Sequence, residues 1–114
     1  MEIIEFKDCS YKNKQLVGGK CSSLGELYHL SQKINFKIAD GFAITTELYD
    51  TFIQENNLQN SIESALEIID YENIHDIEEH SQKLLHSIVN GNFSESQKNN
   101  IEKAYQKLCE KYEM

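Results

Sequence analysis

The sequence contains no proline and no arginine, so its eleven basic residues are all lysines, and they stand against nineteen acidic residues for a formal net charge of -8. A chain this acidic repels polyanions at long range, which argues against nucleic-acid binding. Any nucleotide site must therefore be local. It would depend on backbone N–H groups, a lysine and a metal ion rather than on a basic surface.

Long apolar runs are also missing, and the first residues carry acid where a signal peptide carries base. We therefore predict a soluble, cytoplasmic chain with no membrane partner. The three cysteines, Cys9, Cys21 and Cys109, are odd in number and form no CxxC pair. This pattern favours reduced thiols over a disulfide framework or a zinc site.

What is present is an ordinary globular composition, with 39% apolar and 26% charged residues. A length of 114 residues leaves no room for a second independent core, so we read the chain as one unit. Short apolar runs predict extended segments near residues 3–17 and 42–45, which we expect to pair as a small sheet. Between them, Ser23 and Glu26 form a capping-box pair and predict a helix that begins at Ser22 or Ser23.

The remainder reads as helices. Thr46 is the predicted cap of the second helix, which the pair Asn56-Asn57 ends, and a third helix begins almost at once. Residues 70–73 connect the third helix to a fourth, Gly91 is the predicted stop of the fourth, and Ser94 opens the last. We therefore predict a helix-rich α/β (α+β) fold with a small sheet and about five helices, and any chemistry belongs to the first half.

The strongest local feature is the run Gly18-Gly19-Lys20 immediately before a predicted helix. Glycines let backbone N–H groups approach an anion, and a lysine adds a mobile positive charge. The run is not a Walker A loop, because Lys14 stands where that motif has glycine and Cys21 stands where it has Ser or Thr. Taken alone, the pattern also fits an ordinary structural turn.

Three histidines, His75, His80 and His86, lie on the predicted fourth helix, but steps of five and six residues scatter their rings around it. Solvated surface histidines are therefore the better interpretation. The serines and acidic residues show no triad or nucleophile-elbow pattern either. The sequence thus predicts no catalytic residue and no metal ligand within the chain.

Two segments together resemble a known family. Residues 16–27 read LVGGKCSSLGEL and residues 39–49 read ADGFAITTELY. Both are similar to the start of phosphoenolpyruvate synthase and pyruvate phosphate dikinase, in the same order and at the family's separation. The later helical sequence resembles the same domain, so the resemblance covers nearly the whole chain, 1–114, as the N-terminal part of the ATP-binding domain.

The resemblance implies a partial ATP-grasp-type domain that passes a phosphoryl group from ATP, with Mg²⁺, to a histidine on a separate domain, while a barrel domain makes phosphoenolpyruvate from pyruvate. It implies that Lys20 contacts the nucleotide phosphates, that Gly18 and Gly19 shape the turn, and that residues 40–46 are supporting structure. It further implies a possible homodimer when full length.

The sequence departs from the family at two places. Ala39 stands where the family usually has proline, and the arginine-containing motif, the acidic magnesium ligands and the phosphohistidine are absent. We therefore expect an incomplete phosphotransferase that is inactive alone, with the metal ligands downstream. Two alternatives stay open: a relative of the rifamycin phosphotransferase type, and a free-standing, non-catalytic module of the same fold.

Overall fold

The computed structural model describes residues 1–113. Two short strands, two 3₁₀ turns and five helices follow one another in this order: β1 (Ile3–Glu5), the 3₁₀ turns Phe6–Asp8 and Tyr11–Asn13, α1 (Lys14–Ser31), β2 (Phe42–Ile44), α2 (Thr46–Glu55), α3 (Gln59–Ile68), α4 (Ile74–Val89) and α5 (Glu95–Tyr112). The predicted helix-rich α+β fold is confirmed. The chain forms two compact units, residues 1–49 with 95–113, and residues 50–94.

The sheet of the first unit is antiparallel and pairs Ile4 with Ala43 at its centre. Side chains alternate between the two faces of a strand, and here the face of Ile4 and Ala43 is the buried one. Both residues belong to an apolar cluster with Cys9 and Val17. Because Val17 lies on α1, this cluster fixes α1 against one face of the sheet.

The predicted extended segment is too long. Its pairing with β2 is confirmed for Ile3–Glu5, but Leu16 and Val17 are helical because α1 already begins at Lys14. A capping box holds the 3₁₀ turn Tyr11–Asn13, which leads directly into α1: the Ser10 hydroxyl accepts from the Lys12 N–H, and the Asn13 side chain accepts from the Ser10 N–H at 2.8 Å. The predicted start at Ser22 or Ser23 is therefore wrong.

Segment 7–11 lies along α1 and follows it closely. A Cβ built on Gly25 would lie 2.2 Å from the Cys9 carbonyl oxygen, so only glycine permits this approach. One residue later, the Glu26 carboxylate accepts from the Tyr11 N–H at 3.1 Å, and the His29 ring hydrogen-bonds the Lys7 carbonyl. Three positions within about one turn of α1 thus hold the segment that precedes it.

Helix α5 is fastened to the same unit at both ends. Gln97 is buried and donates to the Glu2 carboxylate at 3.0 Å and to the Leu48 carbonyl at 3.2 Å. Near the other end, Lys111 pairs with Asp40 at 2.5 Å, and the Tyr112 hydroxyl accepts from the Asp40 N–H. These contacts join the last helix to residues that adjoin the strands.

The second unit has its own apolar cluster, formed by Phe52, Ile53 and Leu58 with Ile62 and Ile88 packed against it. The rings of Phe52 and Phe93 lie 5.2 Å apart. The Asn56 side chain donates to the Asn92 carbonyl and accepts from the Asn92 N–H. This pair of hydrogen bonds ties the end of α2 to the segment that follows α4.

The predicted ends of α2 and α4 lie close to the observed ones. Asn57, after α2, takes a φ of 55°, a conformation that asparagine tolerates better than most residues. Gly91 follows α4 but is not a left-handed cap, since Gly18 is the one glycine with positive φ within residues 1–113. A Cβ on Gly91 would instead lie 2.6 Å from the Phe52 ring.

Helix starts were predicted less well. Thr46 is the first residue of α2 rather than a residue before it, and its hydroxyl donates to the Gln15 carbonyl at 3.4 Å. On α4 the side chain that caps the helix is Asn73, which accepts from the N–H groups of His75 and Asp76. The starts of α2 and α4 nevertheless lie within a residue or two of their predicted positions.

Replacing Gly25 by Ala should destabilise the chain. The new methyl group meets backbone atoms of Cys9 that cannot move aside as a side chain could, and overpacking of this kind costs about 1 to 3 kcal/mol. The free energy of unfolding from urea melts provides the measurement. Gly19→Ala is the matched control, because the nearest atom there is the flexible Lys14 Cε at 3.8 Å. Equal effects at both positions would contradict the close approach.

Replacing Lys111 by Met should destabilise the chain by about 0.5 kcal/mol, the usual size for an exposed ion pair. The hydrogen bond to Asp40 is the main cause that raises the pKa of Lys111. A lysine whose pKa is higher in the folded chain than in the unfolded chain stabilises the fold at pH values below its unfolded pKa. This stabilisation disappears as the pH rises through its folded pKa. The loss of stability in Lys111→Met should therefore be visible at pH 7 and vanish at pH values well above 10.5.

Lys103→Met is the control for that variant, because Lys103 lies on the same helix and has no ion pair with any residue from 1 to 113. Thermal melts of both variants at neutral and strongly alkaline pH separate the two positions. A pH-independent loss for Lys111→Met would contradict the account, because it would show that the charge of Lys111 is not what stabilises the fold.

Candidate functional site

A sharp turn interrupts α1 at Gly18, which has a φ of 83° and a ψ of 171°. Residues with side chains rarely adopt this conformation, so glycine is required there. The predicted turn at Gly18 is thus observed, although it lies inside a helix rather than between a strand and a helix. A second helical segment starts at Gly19 and runs to Ser31.

The residues on both sides of the turn are anchored. Val17 and Ser22 are buried, and Cys21 packs with Leu16 against the cluster of Ile4 and Ala43. The Ser22 hydroxyl donates to the Gly19 carbonyl at 2.9 Å, within the first turn of the second segment. These packed neighbours therefore hold the backbone of the turn in place.

The turn itself faces outward: Gly18, Gly19 and Lys20 are all exposed. Outside the local backbone and its two chain neighbours, no heavy atom lies within 4 Å of a Cβ built on Gly18. Within residues 1–113 the Lys20 ammonium group makes no hydrogen bond and no ion pair. The structure thus places the three predicted binding residues together, on an accessible turn with room beside the backbone.

Lys14 is a second lysine at this turn, and the sequence interpretation did not include it. Its Cε would lie 3.8 Å from a Cβ on Gly19, so its side chain passes beside the glycine pair. In the sequence, Lys14 counted only as a mismatch to the Walker motif. The available signal was the capping pair Ser10 and Asn13, which holds the 3₁₀ turn immediately before Lys14, and Lys14 lies one turn before Gly18.

The electrostatics of the turn favour an anion. The first N–H groups of a helix have no intrahelical acceptor, and the helix macrodipole places partial positive charge at that end. The helical segment that starts at Gly19 continues for three turns, so its macrodipole is that of a full helix. With the two lysines, the turn can hold a phosphate through backbone N–H groups and ammonium groups together.

Segment 40–46 contacts the rest of the unit in ways that support its predicted structural role. Thr45 is buried, and its hydroxyl donates to the Met1 carbonyl at 2.6 Å. Ala43 lies in the same cluster as Val17, and the Thr46 hydroxyl reaches the Gln15 carbonyl. These contacts fix the part of α1 that immediately precedes the glycine turn.

A groove of about 620 Å³ lies elsewhere in the first unit, between the strands and α5. Ile3, Phe42 and Leu108 supply apolar walls, and Lys107 and Lys111 are among the charged residues at its edge. Neither Gly18 nor Lys20 lines it. Of the lysines that line it, Lys107 and Lys111 pair with Glu5 and Asp40, whereas Lys103 makes no ion pair within residues 1–113.

The predicted surface histidines lie on α4 in the second unit. His75 and His86 are exposed, whereas His80 is half-buried and its Nδ1 lies 3.5 Å from the Asp76 carboxylate. Across residues 1–113, no three His, Cys, Asp or Glu side chains form a group that could hold a metal ion. In the same part of the chain, no helix has the length and apolar character needed to cross a membrane.

Comparison with protein families matches residues 14–114 to pyruvate phosphate dikinase, AMP/ATP-binding domain. Similar proteins include a phosphoenolpyruvate synthase from Helicobacter pylori, 33% identical over 96% of this chain, and one from Aquifex aeolicus, 31% identical over 96%. A probable phosphoenolpyruvate synthase from Methanocaldococcus jannaschii is 30% identical over the same share.

The chain spans 13% of the length of each of the first two relatives and 9% of the third. The match nevertheless begins at Lys14, the first residue of α1, and includes the whole glycine turn. The resemblance that the two sequence segments suggested is confirmed, and the chain belongs to the family of pyruvate phosphate dikinase AMP/ATP-binding domains.

Proposed function

We propose that this chain is the part of a phosphoenolpyruvate synthase-like phosphotransferase that contacts the phosphates of ATP. The observation that carries the proposal is the turn at Gly18, where a positive φ breaks α1 and leaves Lys20 exposed and without an ion-pair partner among residues 1–113. The family match supports the nucleotide as the ligand, because it covers this turn.

In this proposal the chain binds and orients phosphate groups. The N–H groups at the start of the segment from Gly19 donate to phosphate oxygens, and Lys20 supplies a charge-assisted contact. Lys14, whose side chain passes beside Gly19, adds a second positive charge. Buried Val17 and Ser22 keep the backbone in place, so little ordering is needed when the nucleotide binds.

The rest of the reaction belongs to parts of the relatives that this chain does not span. Mg²⁺ would neutralise charge on the phosphates, and residues 1–113 offer no carboxylate cluster to hold it, so its ligands remain an expectation for downstream sequence. Pyruvate, the phosphohistidine domain, an ATP-grasp-type architecture, a homodimer and a cytoplasmic location also remain predictions. So does the assignment of 1–114 to one larger domain.

Phosphoenolpyruvate synthases are the relatives named above, and this favours the dikinase interpretation over a rifamycin phosphotransferase. A free-standing binding module would keep the same turn and bind the nucleotide without transferring phosphate. The two tests that follow distinguish a phosphate contact from a structural turn, and binding from turnover.

Replacing Lys20 by Met should weaken ATP binding at least about tenfold. The substitution keeps most of the aliphatic stem and removes the charge, and a charge-assisted hydrogen bond contributes about 1.5 to 3 kcal/mol. Titration calorimetry on the chain measures the affinity. In a protein of the relatives' length that carries this segment, single-turnover phosphorylation of the acceptor histidine should fall by a similar factor.

Lys33→Met and Lys37→Met are the matched controls. Both lysines are exposed and lie between α1 and β2, outside the glycine turn. They should leave ATP affinity within about twofold of the starting chain, a difference of about 0.4 kcal/mol. Small, equal effects at all three positions would remove Lys20 from the site, whereas loss at Lys20 alone supports it.

The 114-residue chain on its own should neither hydrolyse ATP nor make phosphoenolpyruvate. Phosphoryl transfer needs several charge clamps and a bound metal in addition to one or two lysines. Phosphate release and phosphoenolpyruvate formation are assayed with and without Mg²⁺, using Lys20→Met as the background control. Magnesium-dependent turnover that disappears in Lys20→Met would show that the chain is catalytically sufficient.

A further inference from the structure

Cys21 and Gly25 lie four positions apart on the part of α1 that follows the turn at Gly18, and both lie near Cys9. Val17 and Cys21 pack in the cluster that contains Cys9, and Gly25 contacts Cys9 directly. Residues four apart on a helix are neighbours on its surface. Cys21 therefore lies one turn before the point where Cys9 touches the helix.

This arrangement brings two of the three cysteines into the same apolar cluster. A Cβ on Gly25 would lie 2.6 Å from the Cβ of Cys9. Neighbouring helical positions have Cβ atoms about 5 to 6 Å apart, so the Cβ atoms of Cys9 and Cys21 are separated by about 2 to 9 Å. A disulfide needs about 3.5 to 4.5 Å, which lies inside that range.

We propose that Cys9 and Cys21 are a redox-active pair that closes to a reversible disulfide when a peroxide reaches Cys21. The pair is free in this structure. The inference concerns a covalent modification and does not depend on whether the glycine turn binds ATP. Intracellular disulfides of this kind are transient and regulatory rather than structural.

The two thiols differ in a way that assigns their roles. Cys9 is fully buried, and burial, followed by the neighbouring Cys21, raises the pKa of its thiol. A protonated, inaccessible thiol is a poor nucleophile toward an oxidant in solution. Cys21 is half-buried at the edge of the exposed turn, so it is the residue that meets the oxidant first.

The chemistry balances with hydrogen peroxide as the oxidant. The Cys21 sulfur attacks one peroxide oxygen, the O–O bond breaks, and Cys21 becomes a sulfenic acid as one water leaves. The Cys9 sulfur then attacks the Cys21 sulfur, the S–O bond breaks and a second water leaves. Two thiols and one peroxide thus yield one disulfide and two waters, and a dithiol reductant reverses the change.

A closed disulfide would join the segment before α1 to the residue that immediately follows Lys20. The link encloses a short loop of the chain and restricts the unfolded state, which raises the melting midpoint. Because Cys21 borders the turn at Gly18 to Lys20, the same link also restrains the backbone of the turn. Oxidation would therefore couple the redox state to the rigidity of this part of α1.

The test treats the reduced, purified chain with hydrogen peroxide, alkylates the remaining thiols and maps the cysteines by peptide mass spectrometry. We expect an intact mass lower by two hydrogen atoms, a cross-linked peptide pair that contains Cys9 and Cys21, and an alkylated Cys109. The melting midpoint should rise by about 5 to 10 °C and return after reduction with dithiothreitol.

Variants at the half-buried cysteines provide the controls, since Cys9→Ser could prevent folding by placing a hydroxyl in the core. Cys109→Ser should keep both the cross-link and the shift in melting midpoint, and Cys21→Ser should lose both. The proposal is overturned if Cys9 is alkylated in the oxidised sample, if the cross-link involves Cys109 or a second chain, or if Cys21 oxidises to a sulfinic acid while Cys9 stays free.

Discussion

The contact between the Cys9 backbone and Gly25 is the constraint on which the first unit depends. The absence of a side chain at Gly25 lets segment 7–11 lie directly on α1, and Glu26 and His29 then hold that segment by hydrogen bonds. Because segment 7–11 directly follows β1, the position of the segment determines where the sheet packs against α1. This packing forms the apolar cluster around Val17, and the cluster anchors the glycine turn.

The same constraint connects packing to the proposed chemistry. A turn that binds phosphate must expose its N–H groups while its backbone stays fixed, and these demands conflict in a flexible loop. Here the neighbours on both sides, Val17 and Ser22, are buried, and the three residues Gly18 to Lys20 are exposed. The rigidity comes from the core, and the accessibility comes from the break at Gly18.

Much of the fold could be predicted from local sequence, because helical spacing and turn residues act over a few positions. The turn at Gly18 and the ends of α2 and α4 belong to this class, whereas the pairing of β1 with β2 joins segments far apart in sequence and was expected from their β propensity. The start of α1 was misjudged because the 3₁₀ turn that leads into it is held by Ser10 and Asn13, which lie outside the apolar pattern. The contact of Gly25 with Cys9 and the position of Lys14 beside Gly19 could not be predicted, since both depend on tertiary packing.

The central claim is that the turn at Gly18 to Lys20 contacts the phosphates of a nucleotide. The most direct measurement is amide chemical-shift mapping by NMR, with the chain titrated in parallel with ATP, pyrophosphate and adenosine. The account predicts that ATP and pyrophosphate shift the amides of Gly19, Lys20 and Cys21 most strongly, and that adenosine leaves them unchanged. Shifts from ATP that fall on the groove beside α5, with the turn unaffected, would contradict it.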